Sequence, residues 1–404
     1  MKKISEACLT CFKKEFSTIE ELYHGGGNFY VRIASKRTEE EMLHFITEVQ
    51  NRYLHSDIFP YIAFVTDNKQ KINELLSAVN HEMQKAKLRR PLTAGLLDPE
   101  LPKFGDIDIR KLDDDINGQV PKDNQGNFLD FDAIAEKSDG DDKMAAIKLD
   151  VDNLGQLFRD LNEKDYKALS DALKDFFDKK LQQLIAGKKI TQNIYVVFSG
   201  GDDCFLIGSW NVIFDLAIEI RNSFKDFQKE LKQKIQSLPK NEITFSAGIV
   251  VVPPKYPMIR LTEEVEEALD NSKRANGKNS ISVFGKTISW DEFEHSQEIS
   301  KRLKILISEK GESRSLIERI KSSNIGFDKL QKNAQRGYIN IPKVWRLKYY
   351  LRNVKKINQK EIEELFENYS QAIIKTFLGK GTVNPDLYPV AARWAELLLK
   401  NKNK

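Results

Sequence analysis

MAAIKLDVDNLG, residues 144–155, reads as a strand running into a helix. Met144–Val151 is apolar at nearly every position, the mark of a strand covered on both faces. Asp152-Asn153 then punctuates the chain, and Leu154-Gly155 opens a helix expected to run to about Ile185. FSGGDD, residues 198–203, is the second marker. It joins two short apolar runs, Ile194–Phe198 and Phe205–Ile207, through a glycine pair suited to a tight hairpin. A helix over about Val212–Ile235, a strand over Ile243–Val252, a helix over Glu263–Arg274 and a strand over Ser280–Phe284 complete the block. The order is βαββαβ with one further αβ, the ferredoxin-like pattern of a nucleotide-polymerase palm.

Upstream, Thr18–His24 and Phe29–Ile33 flank Gly25-Gly26-Gly27-Asn28, predicting another glycine-tipped hairpin. A helix from about Thr38 to Tyr53, an apolar strand over Tyr61–Val65 and a helix from about Lys69 to Lys87 follow, a ββαβα unit. Downstream of Trp290, helical spacing dominates. The expected fold class is therefore α+β: a degenerate, truncated first palm (1–97), an acidic connector with little regular structure (98–142), a catalytic palm (143–294) and a C-terminal helical domain (295–404).

The 404 residues carry 64 basic and 60 acidic side chains, a net charge of +4, unevenly spread. Residues 98–142 hold 14 acids against 5 bases, and residues 301–404 hold 23 bases against 10 acids. A basic C-terminal region fits a polyanionic partner such as RNA, or an acidic protein surface. No apolar run approaches the ~20 residues a membrane span requires, and MKKISEACLTCF lacks a signal-peptide core. A cytoplasmic protein with no membrane partner is expected. Three cysteines do not make a disulfide framework. Cys8 and Cys11 supply half of a zinc site at most, and no zinc is expected.

Asp150 ends the first strand and Asp202-Asp203 tip the hairpin. In a βαββ fold these neighbours reach one edge of the sheet, and strand alternation is expected to send Asp150 and Asp152 to one face. Carboxylates gathered this way call for a hard divalent cation, Mg2+ or Mn2+. Gly200 and Gly201 let a nucleotide approach bare backbone. Asn153, Leu154 and Gly155 offer helix-start N–H groups to phosphate, and Lys273 and Lys278, in SKRANGKN, can balance phosphate charge.

Asp150–Gly155, FSGGDD and Lys273–Ile281 together resemble the large, polymerase-like subunit of type III CRISPR–Cas effector complexes. FDAIAEKSDGDDKMAAIKLDVDNLGQLF (131–158) is similar to the approach to that family's second palm, and HGGGNFYV (24–31) to the hairpin of its first. The resemblance implies synthesis of cyclic oligoadenylate from ATP, within a guide RNA-loaded assembly switched on by target RNA. It implies Asp150, Asp202 and Asp203 as catalytic metal ligands, and Ser199, Gly200 and Gly201 against the donor nucleotide. Gly26, Gly27 and Asn28 would hold the acceptor ATP. The chain has no His-Asp dipeptide, so the family's HD nuclease activity is not expected here. A GGDEF-like cyclic dinucleotide synthase and a non-catalytic scaffold of an RNA-binding complex are the rival readings.

Overall fold

The computed structural model describes residues 2–25, 28–52, 60–66, 72–88, 121–123, 125–159, 161–187, 193–238, 243–275, 277–323, 336–337 and 345–400. The chain opens on a helix, α1 (Lys2–Glu15), ahead of the hairpin β1 (Ile19–Gly25) and β2 (Asn28–Ile33). Helices α2 (Glu39–Arg52) and α3 (Ile72–Leu88) follow. Ile4, Cys8 and Phe12 recur one helical turn apart and bury one face of α1 against Phe45, Ile46 and Val49 of α2. The rings of Phe12 and Phe45 meet edge to face at 5.0 Å.

Three expectations for this region change. A helix precedes the hairpin. Among the described residues Tyr61–Val65 is not part of a strand, and Ile62 and Phe64 pack at the margin of the small core. The Gln50 side chain donates to the carbonyl of Pro60, taking over from a backbone partner. Among the described residues the first unit shows a two-stranded sheet with helices. Most of the acidic stretch lies outside the described residues. Within it, α4 (Phe131–Glu136) is a regular helix capped by Asp130, whose carboxylate accepts from the Ala133 N–H.

The second region is built on β3 (Met144–Val151). Its helical connection is broken, contrary to the single helix expected: α5 (Leu154–Arg159), α6 (Glu163–Asp175), a π-turn at Phe176–Lys180 and α7 (Leu181–Gly187). Asn162 restarts the helix by accepting from the Asp165 N–H. Then come β4 (Ile194–Gly200), β5 (Asp203–Ser209), α8 (Trp210–Lys234), β6 (Phe245–Val252), α9 (Met258–Arg274), β7 (Ser280–Val283), β8 (Lys286–Ser289) and α10 (Trp290–Ser308).

One mixed six-stranded sheet results, in the order β4-β5-β3-β6-β7-β8. β3 lies antiparallel to both β5 and β6, and β7 pairs parallel to β6 across α9. Alternation along β3 divides the core. Ile147 and Leu149 face the layer formed by α6, α7 and α8, whereas Met144 and Ala146 face α4 and α9.

Downstream lie α11 (Ser315–Ser323), α12 (Trp345–Tyr350), α13 (Gln359–Phe377) and α14 (Leu387–Leu399). The boundary expected at 294/295 falls inside α10. Trp290 and Phe293 belong to the palm core, and Ile299, Leu303 and Leu306 to a helical one. Helix α14 is shared likewise: Trp394 meets Phe214 edge to face at 4.6 Å, while Ala391 and Ala395 pack among the helices. Two helices, each buried along part of its surface in both cores, therefore tie the C-terminal region to the palm.

Candidate active site

The β3–β5 ladder sets Asp150 directly opposite Asp203, and Gly200 opposite Asp203 on the other side. Asp150 shares the face of Met144, Ala146 and Lys148, opposite the α6–α8 layer. Gly201 holds the tip at φ 70°, a conformation that opposes an L side chain. The Val151 N–H donates to the carbonyl of Asp202, fastening the end of β3 to that tip.

Crowding at this edge has an electrostatic cost. Burial, then the neighbouring Asp202 and Asp150, pushes the Asp203 carboxyl up to about 7, despite Lys148 and Lys273 pulling the other way. Asp202 is also raised, first by burial and then by Asp150. The Lys273 ammonium stands 2.7 Å from Asp150. Among the described residues no three His, Cys, Asp or Glu side chains are already gathered as a ligand set. The donors nevertheless suit a hard divalent ion: they are all carboxylate oxygens, on one edge, each raising its neighbours' affinity for positive charge.

Asp152 departs from expectation. It lies past the end of β3, where alternation no longer governs direction, and turns toward β6 and away from the hairpin. Its buried carboxylate accepts from Thr244 Oγ1 and Ser246 Oγ, both at 2.7 Å, and from the Asn279 N–H at 3.0 Å. This anchors a turn in which Lys278 and Asn279 both have positive φ, 52° and 49°. Non-glycine residues there cost roughly 1–2 kcal/mol each. The anchored turn brings Lys278 Nζ to 2.8 Å from Asn153 Oδ1, so the two predicted phosphate-side residues do meet.

Leu154 is half-buried and Gly155 open at the start of α5. Ser199 is not on the carboxylate side. It shares the face of Cys204, and its hydroxyl donates to the carbonyl of Phe177 in the helix layer. Asn28 is exposed at the start of β2, while Gly26 and Gly27 lie outside the described residues. The first unit meets the palm through Arg32 and Glu163, 2.6 Å apart. Cys8 is core, its thiol pushed up to about 12 by burial. Sequence reasoning also passed over Lys148, which stands over the Phe198 ring and pairs with Glu266. Its place two residues before Asp150 was the available signal.

Fold and edge define a palm-type α+β protein with a carboxylate pair in register beside a glycine hairpin. Residues 143–282 match the Cas10/Cmr2 second palm domain. The chain is 32% identical over 200 residues to the CRISPR system single-strand-specific deoxyribonuclease Cas10/Csm1 (subtype III-A) of Methanocaldococcus jannaschii. That stretch is 43% of this chain and 24% of the relative, so the match spans about a quarter of the relative's length. Two crystal structures share the fold over 99% of this chain and 65% of theirs. They are the Csm1-Csm4 cassette with AMPPNP (TM-score 0.62, 17% identity) and the same cassette with cA4 (TM-score 0.61, 15% identity). Over residues 143–282 the chain is therefore similar to the Cas10/Csm1 palm of type III CRISPR systems. Among the described residues, no helix is long and apolar enough to cross a membrane.

Proposed function

We propose that the edge formed by Asp150, Asp202 and Asp203 is a nucleotidyl-transfer centre that makes cyclic oligoadenylate from ATP. It would act inside an RNA-guided antiviral assembly, with target RNA as activator. The observation that carries this reading is the register of Asp150 against Asp203 beside the Gly200-Gly201 tip. Similar folds crystallised with AMPPNP and with cA4 support the substrate and product class.

The chain's own residues have separable tasks. Asp150, Asp202 and Asp203 would hold Mg2+ or Mn2+. When bound, such an ion supplies charge neutralisation at the reacting phosphoryl group and acidifies the attacking hydroxyl. Lys273 and Lys278 carry positive charge to the side where a triphosphate would lie. Gly200 and Gly201 leave backbone uncovered for the nucleotide, and Asp152 positions the Lys278 turn without touching substrate. Positioning and charge do the catalysis, with no covalent protein nucleophile. The first hairpin, at Gly26, Gly27 and Asn28, would receive the acceptor ATP.

Mass spectrometry of products from ATP and Mg2+, with and without activating RNA, tests the reading. Cyclic oligoadenylates that vanish in the Asp202→Ala/Asp203→Ala variant are expected. A cyclic dinucleotide as sole product, or unchanged product in the variant, would contradict it.

A further inference from the structure

The segment WRLKYYLRNVKKI, residues 345–357, contains five bases and no acid. Leu347 is completely buried in the helical core and fixes α12 to it. Tyr350 strengthens the anchor, with the Arg319 guanidinium lying over its ring. The other side of the helix is unlike a solvated charged face. Trp345 is 65% exposed and Tyr349 56% exposed, and Ile357 stands out at 88%. Trp345, Tyr349 and Arg352 are spaced i, i+4 and i+7, one side of the helix and the single 3-10 turn that continues it. The guanidiniums of Arg346 and Arg352 stand 5.5 and 5.2 Å from the rings of Trp345 and Tyr349. Lys348 and Lys356 are exposed on the same segment, while Lys355, also exposed, turns its Nζ to the Lys310 carbonyl at 3.4 Å. Of these, Lys348 has a carboxylate near, Glu367 at a loose 3.8 Å.

Exposing two large rings to water is unfavourable unless something covers them. Flat rings interleaved with cations match one class of partner closely. Bases stack on the rings and guanidiniums, and phosphates meet the lysines. A protein partner would also cover the rings, but five cations with no acid in thirteen residues favour a polyanion whose bases stack. We propose that α12 and the turn after it form a stacking platform for single-stranded RNA, on the helical region and separate from the palm's carboxylate edge. The choice of RNA rests on the proposed RNA-guided setting, whereas the platform itself rests on rings and charges alone.

The test is fluorescence anisotropy of the full chain with a labelled single-stranded RNA of about twenty nucleotides, without ATP, across a salt series. Trp345→Ala/Tyr349→Ala is expected to weaken binding about 10-fold or more with the salt slope unchanged. Trp345→Phe/Tyr349→Phe is expected to restore most of it. Arg346→Gln/Lys348→Gln/Arg352→Gln is expected to flatten the salt slope by about two. Wild-type affinity in the double-alanine variant would overturn the proposal. So would binding of single-stranded DNA but not RNA, or polyglutamate captured independently of the rings, which would assign the surface to an acidic protein. Because no nucleotide substrate is present, failure here and failure of the palm's chemistry are read separately.

Discussion

Two hairpins carry glycine runs in their connecting segments, and among the described residues it is the palm's that lies beside a carboxylate edge. In the palm, β5 shares its second edge with β3, so Asp150 arrives opposite Asp203 from a distant part of the chain. Burial then raises the affinity of Asp202 and Asp203 for positive charge. Among the described residues the β1–β2 hairpin forms a two-stranded sheet. Its acids, Glu20 and Glu21, are away from the tip and already paired with Arg32 and Lys13. A glycine turn therefore provides room. The chemistry comes from a third strand and from desolvation.

The largest effect that separates the hairpins is on turnover. Asp150→Asn, or Ala at both Asp202 and Asp203, should lower oligoadenylate synthesis by about 1,000-fold or more, with folding intact. Asn28→Ala on the first hairpin removes at most one hydrogen bond, and should raise KM by about fivefold with kcat little changed. Equal losses from both changes would erase the distinction drawn here. Steady-state kinetics with mass-resolved products measures it.

Stability should divide the same way. Asp152→Ala strips a buried acceptor from Thr244, Ser246 and the Asn279 N–H, and should cost about 2–4 kcal/mol in urea unfolding. Glu20→Ala removes an exposed pair with Arg32, and should cost less than about 1 kcal/mol. If Asp152→Ala is as mild as Glu20→Ala, the carboxylate is not the anchor of the Lys278 turn.

The smallest effect is one of pH. Asp203 titrates at about 7 in the folded chain against an ordinary 3.8. The folded state thus holds a proton that the unfolded chain has released. The associated stability is complete below about pH 4 and is lost as pH rises toward 7. Asp203→Asn escapes that loss. Its melting temperature relative to wild type should rise by about 2–4 °C between pH 5 and pH 8, and Mg2+ should narrow the gap by stabilising wild type alone. A gap independent of pH would contradict the buried, crowded carboxylate.

Much of the palm was legible because its strands are apolar runs bounded by strong punctuation. Met144–Val151 reads as a central strand, and GGDD as a turn, from residue type alone. Their adjacency followed from βαββ connectivity. What escaped depends on partners or on direction. Tyr61–Val65 has strand composition but pairs with no strand among the described residues. Helix α1 carries its apolar turn-to-turn spacing at Ile4, Cys8 and Phe12, which the Cys8–Cys11 spacing obscured. The break before α6 rests on a local cap at Asn162. Alternation was expected to put Asp152 on the face of Asp150, and Ser199 was placed against the nucleotide, yet hydrogen bonds to β6 and to Phe177 aim them elsewhere. Sequence locates such a side chain on the chain, while its tertiary partners decide where it points.

The most direct test of the carboxylate edge is Mn2+ binding followed by electron paramagnetic resonance, with a non-hydrolysable ATP analogue present. Wild type is predicted to take up Mn2+ saturably, and Asp150→Asn and Asp203→Asn to lose that uptake. Asp123→Asn, a half-buried acid in the loop before α4, is predicted to keep it. Identical Mn2+ binding in wild type and both edge variants would contradict the account.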